Sequence, residues 1–177
     1  LVSCEKKPID TDPVQLADAQ KQLLQNSNDF GIELLKEMNT LQAESRENIF
    51  ISPLSISMAL GMAANGADGS TQGAILDAMQ VHTMNISDAN QAYSDLKDRL
   101  PQVDPDVQVD IANSIWYRNG FNILSPFLQV NQLYYGAQVS GQDFTDPNTV
   151  NIINDWVSSN TNGTIPTIID QITDDQV

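Results

Sequence analysis

Side chains capable of catalysis are sparse in this chain, and their spacing points away from it. His82 is the single histidine, so no Ser-His-Asp triad and no multi-histidine metal site can be assembled within the chain. Asp104, Asp106, Gln108 and Asp110 repeat the odd-numbered ligand spacing of a calcium loop. That loop chemistry fails twice: Val109 stands where the sharp turn needs glycine, and Ile115 where a bidentate glutamate should close the shell. No metal and no cofactor is expected. Trp116, Trp156 and the Tyr134-Tyr135 pair suggest a sugar platform, but their periodicities fit core or sheet packing better. What stands out instead is polar residues in apolar company. Ser52-Pro53 reads as a helix cap followed by proline, Ser55 sits early in the apolar helix they open, and Asn113 falls on the buried phase of a strand.

Cys4 is the one cysteine, which excludes an internal disulfide. It follows Leu1-Val2-Ser3, and Leu-Val-Ser-Cys resembles the lipobox at which bacterial lipoprotein precursors are cut and acylated. The resemblance implies a lipid on Cys4, with 1–12 as a polar tether containing Pro8. A single domain would then occupy 13–177, on an extracellular or cell-envelope surface. Membrane contact is expected only through that lipid, since no apolar run approaches the ~18 residues of a spanning helix.

Eight Lys and Arg stand against twenty-three Asp and Glu, a formal net charge of -15. That field disfavours nucleic acid and anionic headgroups. After Arg118 there is no further Lys or Arg, while six Asp follow. With 41% apolar residues over 177 positions, the chain can build one hydrophobic core.

Asp12-Pro13 predicts the start of a long helix with Leu16, Leu23, Phe30, Leu34 and Met38 on one stripe, loosened at Asn26-Ser27-Asn28. A short strand is expected over Asn48 to Ile51, then a helix over Leu54 to Ala64 that is apolar nearly all round and belongs in a core. Asn65-Gly66 closes it. A shorter helix spans about Thr71 to Met79, with Ala74, Ile75 and Ala78 facing inward. Ser87 caps the next, whose stripe of Ala89, Tyr93, Leu96 and Leu100 stops at Pro101. Val107, Val109, Ile111, Ile115 and Tyr117 alternate as a half-buried strand does. Ser125-Pro126 opens a helix ending at Gly136, Ala137 to Phe144 is strand-like, and Asp146-Pro147 opens the last helix, stopped by Asn162-Gly163.

The stretch from Asn48 through Ser52-Pro-Leu-Ser-Ile-Ser-Met-Ala-Leu-Gly-Met to Thr71 resembles the serpin segment from the first core strand through its buried helix. Ala112-Asn-Ser-Ile-Trp-Tyr-Arg-Asn-Gly120 is similar to the second strand of the family's main sheet. Gln142-Asp-Phe144 is similar to the pair preceding the helix across that sheet. Ile153-Asn-Asp-Trp-Val157 with Thr161-Asn-Gly-Thr-Ile165 resembles the motif that follows, with Thr164 in place of the usual lysine. Asn48, Thr71, Phe144, Asn154 and Trp156 thus match the family's core motif.

The resemblance implies an α+β fold: several helices packed on a mostly antiparallel main sheet, with a helix lying across it. It implies inhibition of a serine or cysteine protease, whose attack on a reactive loop ends with the cut loop inserted into that sheet. Ser52, Pro53, Ser55 and Asn113 match the sheet-opening region. The reactive loop and the third main-sheet strand are expected beyond Val177. This leaves Val107 to Tyr117 as an expected exposed edge prone to aggregation. A non-inhibitory binding protein of the same fold, or an incomplete fragment without activity, is the alternative. No polyanion is expected on the Ser87 to Leu100 helix, where Lys97 and Arg99 are interleaved with Asp88, Asp95 and Asp98.

Overall fold

Helix boundaries follow local chemistry. In the computed structural model, which describes residues 18–44, 48–81 and 83–173, helix α1 runs unbroken over Asp18–Leu41, so Asn26-Ser27-Asn28 does not interrupt it. Cys4, the tether to Asp12, the Asp12-Pro13 start and His82 lie outside the described residues. Leu23 and Phe30 are buried, while Leu34 and Met38 are half-buried. Helix α2 spans Pro53–Ala64, opened by Ser52 in extended conformation with proline in the first turn, where a missing N–H costs nothing. Helix α3, Gly69–Ala78, begins earlier than expected because Asp68 caps it, its Oδ1 accepting from Gly69 N at 2.7 Å. Ala74 and Ala78 are exposed there, and only Ile75 of the expected inward set packs on the core.

Helix α4 covers Ile86–Arg99 and runs into a 3-10 turn over Leu100–Gln102 that accommodates Pro101. Its cap is Asn85 rather than Ser87: Asn85 Oδ1 accepts from Asp88 N at 2.9 Å. Helix α5, Ser125–Tyr135, ends on Gly136 at φ 61°, a left-handed conformation that glycine adopts without strain. Helix α6, Asn148–Asn160, stops before Asn162 and Gly163, both at positive φ.

Strand β1, Ser114–Arg118, and strand β2, Gln138–Gln142, pair in register from Ser114↔Gln138 to Arg118↔Gln142. They run parallel, and this pair is the part of the expected main sheet that the described residues form. The reason for the shared direction lies between them: α5 carries the chain back across the sheet, and a crossover through a helix brings the next strand in with the same direction. Two predicted strands differ. Residues 48–51 form no strand and Phe50 is 98% exposed; residues 107–113 form none either, with Val107 in a turn closed by its N–H to Asp104 O at 3.1 Å. Alternating apolar residues make a strand only where a neighbouring backbone takes up the ladder, and no described segment does so there.

The core gathers Leu23 of α1, Met58 and Met62 of α2, Met79, Val81 and Met84 of the segment between α3 and α4, Ala92 and Tyr93 of α4, and Tyr135 and Ala137. Four of these are methionines, whose unbranched thioethers fill irregular gaps between helices crossing at different angles. Gly61 lets α2 and α5 close together, since a Cβ there would overlap the Tyr135 hydroxyl. Among the described residues no helix is long and apolar enough to cross a membrane.

Candidate functional site

Ser52 and Ser55 meet at the start of α2. Their hydroxyl oxygens lie 2.8 Å apart, and Ser55 N donates to Ser52 Oγ at 3.4 Å. The pair lies toward solvent. Ser55 therefore avoids the desolvation expected of a hydroxyl in an apolar helix, and its partner is the cap itself. The buried hydroxyl of α2 belongs to Ser57, which is 0% exposed and makes no hydrogen bond among the described residues. The Tyr93 hydroxyl, also without a hydrogen bond, is pushed up in pKa by burial, with the Ser57 and Ser27 hydroxyls opposing the shift.

Asn113 does not join the serine pair. Its Nδ2 donates to Tyr135 O at 2.9 Å and approaches Met58 Sδ at 3.8 Å, so it ties the lead-in of β1 to the end of α5 and the middle of α2. Tyr135 O is one of the last carbonyls of α5 and has no intrahelical donor. Asn113 supplies one.

The densest polar cluster is one that the sequence reading passed over. Asn65 Nδ2 lies within hydrogen-bond distance of Gly61 O, Asn90 Oδ1 and Asn131 Oδ1 at 3.0 to 3.1 Å. Asn90 Nδ2 returns a bond to Asn65 Oδ1 at 2.8 Å, Tyr135 Oη donates to Asn90 Oδ1 at 2.8 Å, and Asn131 Nδ2 donates to Met62 O at 3.3 Å. Asn131 and Asn90 are 0% and 2% exposed. Burial drives the Tyr135 phenol far above its ordinary pKa, and the neighbouring Tyr93 reinforces this. The network joins the end of α2 to α4 and α5. Its signal in the sequence was asparagine on an apolar stripe: Asn90 beside Ala89 and Tyr93, and Asn131 one turn before Tyr135.

The remaining motif residues scatter. Asn154 pins the segment after α6, its Nδ2 donating to Ile169 O at 2.8 Å and its Oδ1 accepting from Ile168 N at 2.9 Å. Trp156 sets α6 on the sheet, with Nε1 donating to Gln138 Oε1 at 2.7 Å and its ring edge-on to Trp116 at 6.1 Å. Phe144 is half-buried in the turn after β2, beside Asp143, whose carboxyl the Thr145 hydroxyl and N–H hold below its ordinary pKa. Asn48 and Thr71 are exposed. No group of His, Cys, Asp and Glu among the described residues is placed to hold a metal ion.

A buried helix tied by asparagines to its neighbours, next to a short parallel pair with a tryptophan-anchored helix across it, makes up an α+β framework. Residues 25–177 match the family described as Serpin (serine protease inhibitor). Human neuroserpin is 35% identical over 133 residues, 74% of this chain and 32% of that protein. Neuroserpin of Rattus norvegicus is 34% identical over 124 residues, 70% of this chain and 30% of that protein. Among solved structures, the thermophilic serpin tengpin in its latent state superposes with a TM-score of 0.79 at 36% identity, covering 92% of this chain and 42% of that one. A loop C-sheet serpin polymer superposes equally well, with a TM-score of 0.79 over 95% of this chain and 43% of that one. The chain belongs to the serpin family. It spans about a third of the length of these curated relatives.

Proposed function

We propose that the protein to which this chain belongs inhibits serine or cysteine proteases by loop cleavage followed by insertion of the cut loop into the main sheet. Family membership supports the inhibitor class. The observation that carries the insertion reading is the tie between strand and buried helix: Asn113, at the lead-in of β1, donates to Tyr135 O at 2.9 Å and approaches Met58 Sδ of α2 at 3.8 Å, so a shift of β1 is coupled to α2. The solvent-facing Ser52–Ser55 pair, with Pro53 between, supports a role in sheet opening, because its hydroxyls keep hydrogen-bonding capacity beyond each other. Asn113 contributes by fixing where β1 begins.

The test uses the full-length protein, including the reactive loop expected after Val177. Incubation with a panel of serine and cysteine proteases should give a complex that survives denaturing electrophoresis. Cleavage of the loop with no stable complex would assign the protein to the non-inhibitory members instead. In the same protein, Ser55→Ala should alter the rate of loop insertion in a stopped-flow assay, and unchanged kinetics would remove the serine from the mechanism. Cys4 lipidation at a bacterial cell surface is part of this reading. It predicts that Cys4→Ser moves the protein from the membrane fraction to the soluble one.

A further inference from the structure

Three Asn-Gly pairs occur in the chain: Asn65-Gly66, Asn119-Gly120 and Asn162-Gly163. Before glycine, the side-chain amide carbon of asparagine is open to attack by the next backbone nitrogen, because no Cβ stands in the way. The fold treats the three pairs differently. Gly66 N donates to Ala63 O at 2.9 Å, the Phe127 ring lies 2.9 Å from where a Cβ of Gly66 would be, and the Asn65 amide is held in the buried network. Gly163 N donates to Ser158 O at 2.8 Å, and Asn162 Nδ2 donates to Asp110 Oδ2 at 2.9 Å. At the third pair neither restraint exists. Gly120 N and the Asn119 side-chain amide donate no hydrogen bond among the described residues, Asn119 is exposed, and Gly120 stands at φ 85° with open space around it.

We propose that Asn119 is a spontaneous modification site, where the amide is lost to give aspartate and isoaspartate. Gly120 N bonds to Asn119 Cγ as the Cγ–Nδ2 bond breaks. The proton lost from Gly120 N passes through solvent, and ammonia departs, leaving a five-membered succinimide. Water then opens the ring. Attack at Cγ breaks the bond from Gly120 N to Cγ and gives aspartate, whereas attack at the Asn119 main-chain carbonyl carbon breaks the bond from Gly120 N to that carbon and gives isoaspartate. The overall change is water in and ammonia out, with no oxidation or reduction. The site matters because Asn119 N donates to Gln142 O at 2.8 Å, one rung past the strand pair, and Phe121 N closes the turn onto Arg118 O at 3.0 Å. Isoaspartate adds a main-chain carbon and a negative charge inside that turn. The end of β1 then no longer keeps register with β2.

The purified chain is held at mildly alkaline pH, digested, and its isoaspartate located by methyltransferase labelling and peptide mass spectrometry. The Asn119 peptide should convert faster than the Asn65 and Asn162 peptides by about fivefold or more, the factor set by a hydrogen bond that must break before attack. In concentrated urea the three rates should converge. Asn119→Gln should abolish conversion at 119 and leave the other two rates unchanged. Equal or faster conversion at Asn65 or Asn162 in native buffer would overturn the proposal. So would a ratio that persists in urea, since it would then owe nothing to the fold.

Discussion

In the helical body, Asn65, Asn90, Asn131 and Tyr135 satisfy one another inside a methionine-rich core, whereas Phe50 ahead of α2, and Phe121 and Leu124 beyond the end of β1, lie open to solvent at 98%, 68% and 72%. The body has nearly every buried polar group paired, with Asn26, Ser27, Ser57 and Tyr93 the exceptions among the described residues. The sheet has two strands, each with one unpaired edge among those residues. A buried polar network costs heavily if one member is removed, because its partners are left desolvated. An exposed apolar side chain costs little to replace and favours association. Rigidity is therefore concentrated where α2, α4 and α5 meet, and susceptibility to new partners where β1 and the segment before α5 face outward.

The largest effect that would sharpen this contrast is alkaline. Tyr93 and Tyr135 both ionise above the ordinary 10.0 in the folded state, so the unfolded chain releases these protons first. The stability they contribute is fully present below about pH 10 and is lost as pH rises toward their folded values. Urea midpoints followed by circular dichroism should fall steeply above that pH, and a flat profile would mean the phenols are not buried as described. Next comes Asn131→Ala, which removes the donor to Met62 O and an acceptor facing Asn65. A loss of about 3 kcal/mol is expected from the same denaturation curves. A value near zero would break the claim that the network holds the body together. Gly61→Ala should cost about 2 kcal/mol by forcing α2 away from Tyr135. Smallest in stability is Phe121→Ser, expected within about 0.5 kcal/mol of the parent. It should nevertheless lower self-association in sedimentation velocity, and unchanged association would show that this surface is not the adhesive one.

Much of the helical framework was legible in advance. Ser52-Pro53, Ser125-Pro126, Gly136 and Asn162-Gly163 mark their boundaries through the backbone of a few adjacent residues, and each boundary stands within a residue or two of the spacing that predicts it. Family membership was legible for a related reason, since its motifs are contiguous runs. The Asn85 cap was missed in favour of Ser87 because two cap-forming residues two positions apart offer the same local signal. The strand predicted over 48–51 does not form, and the one predicted over 107–117 forms only from Ser114 onward, because strand character is a property of a pair.

The sequence by itself determined where helices start and stop, which stripes are apolar, and that the surface is strongly acidic, because these depend on neighbours along the chain. Tertiary structure alone decided that Ser57 and not Ser55 is the buried hydroxyl of α2, and that Asn113 answers to Tyr135. It also decided that β1 and β2 run parallel and that one Asn-Gly pair of three is left unguarded. Each of these depends on which distant group reaches a polar atom first, and burial makes that choice binding by excluding the water that would otherwise serve either candidate.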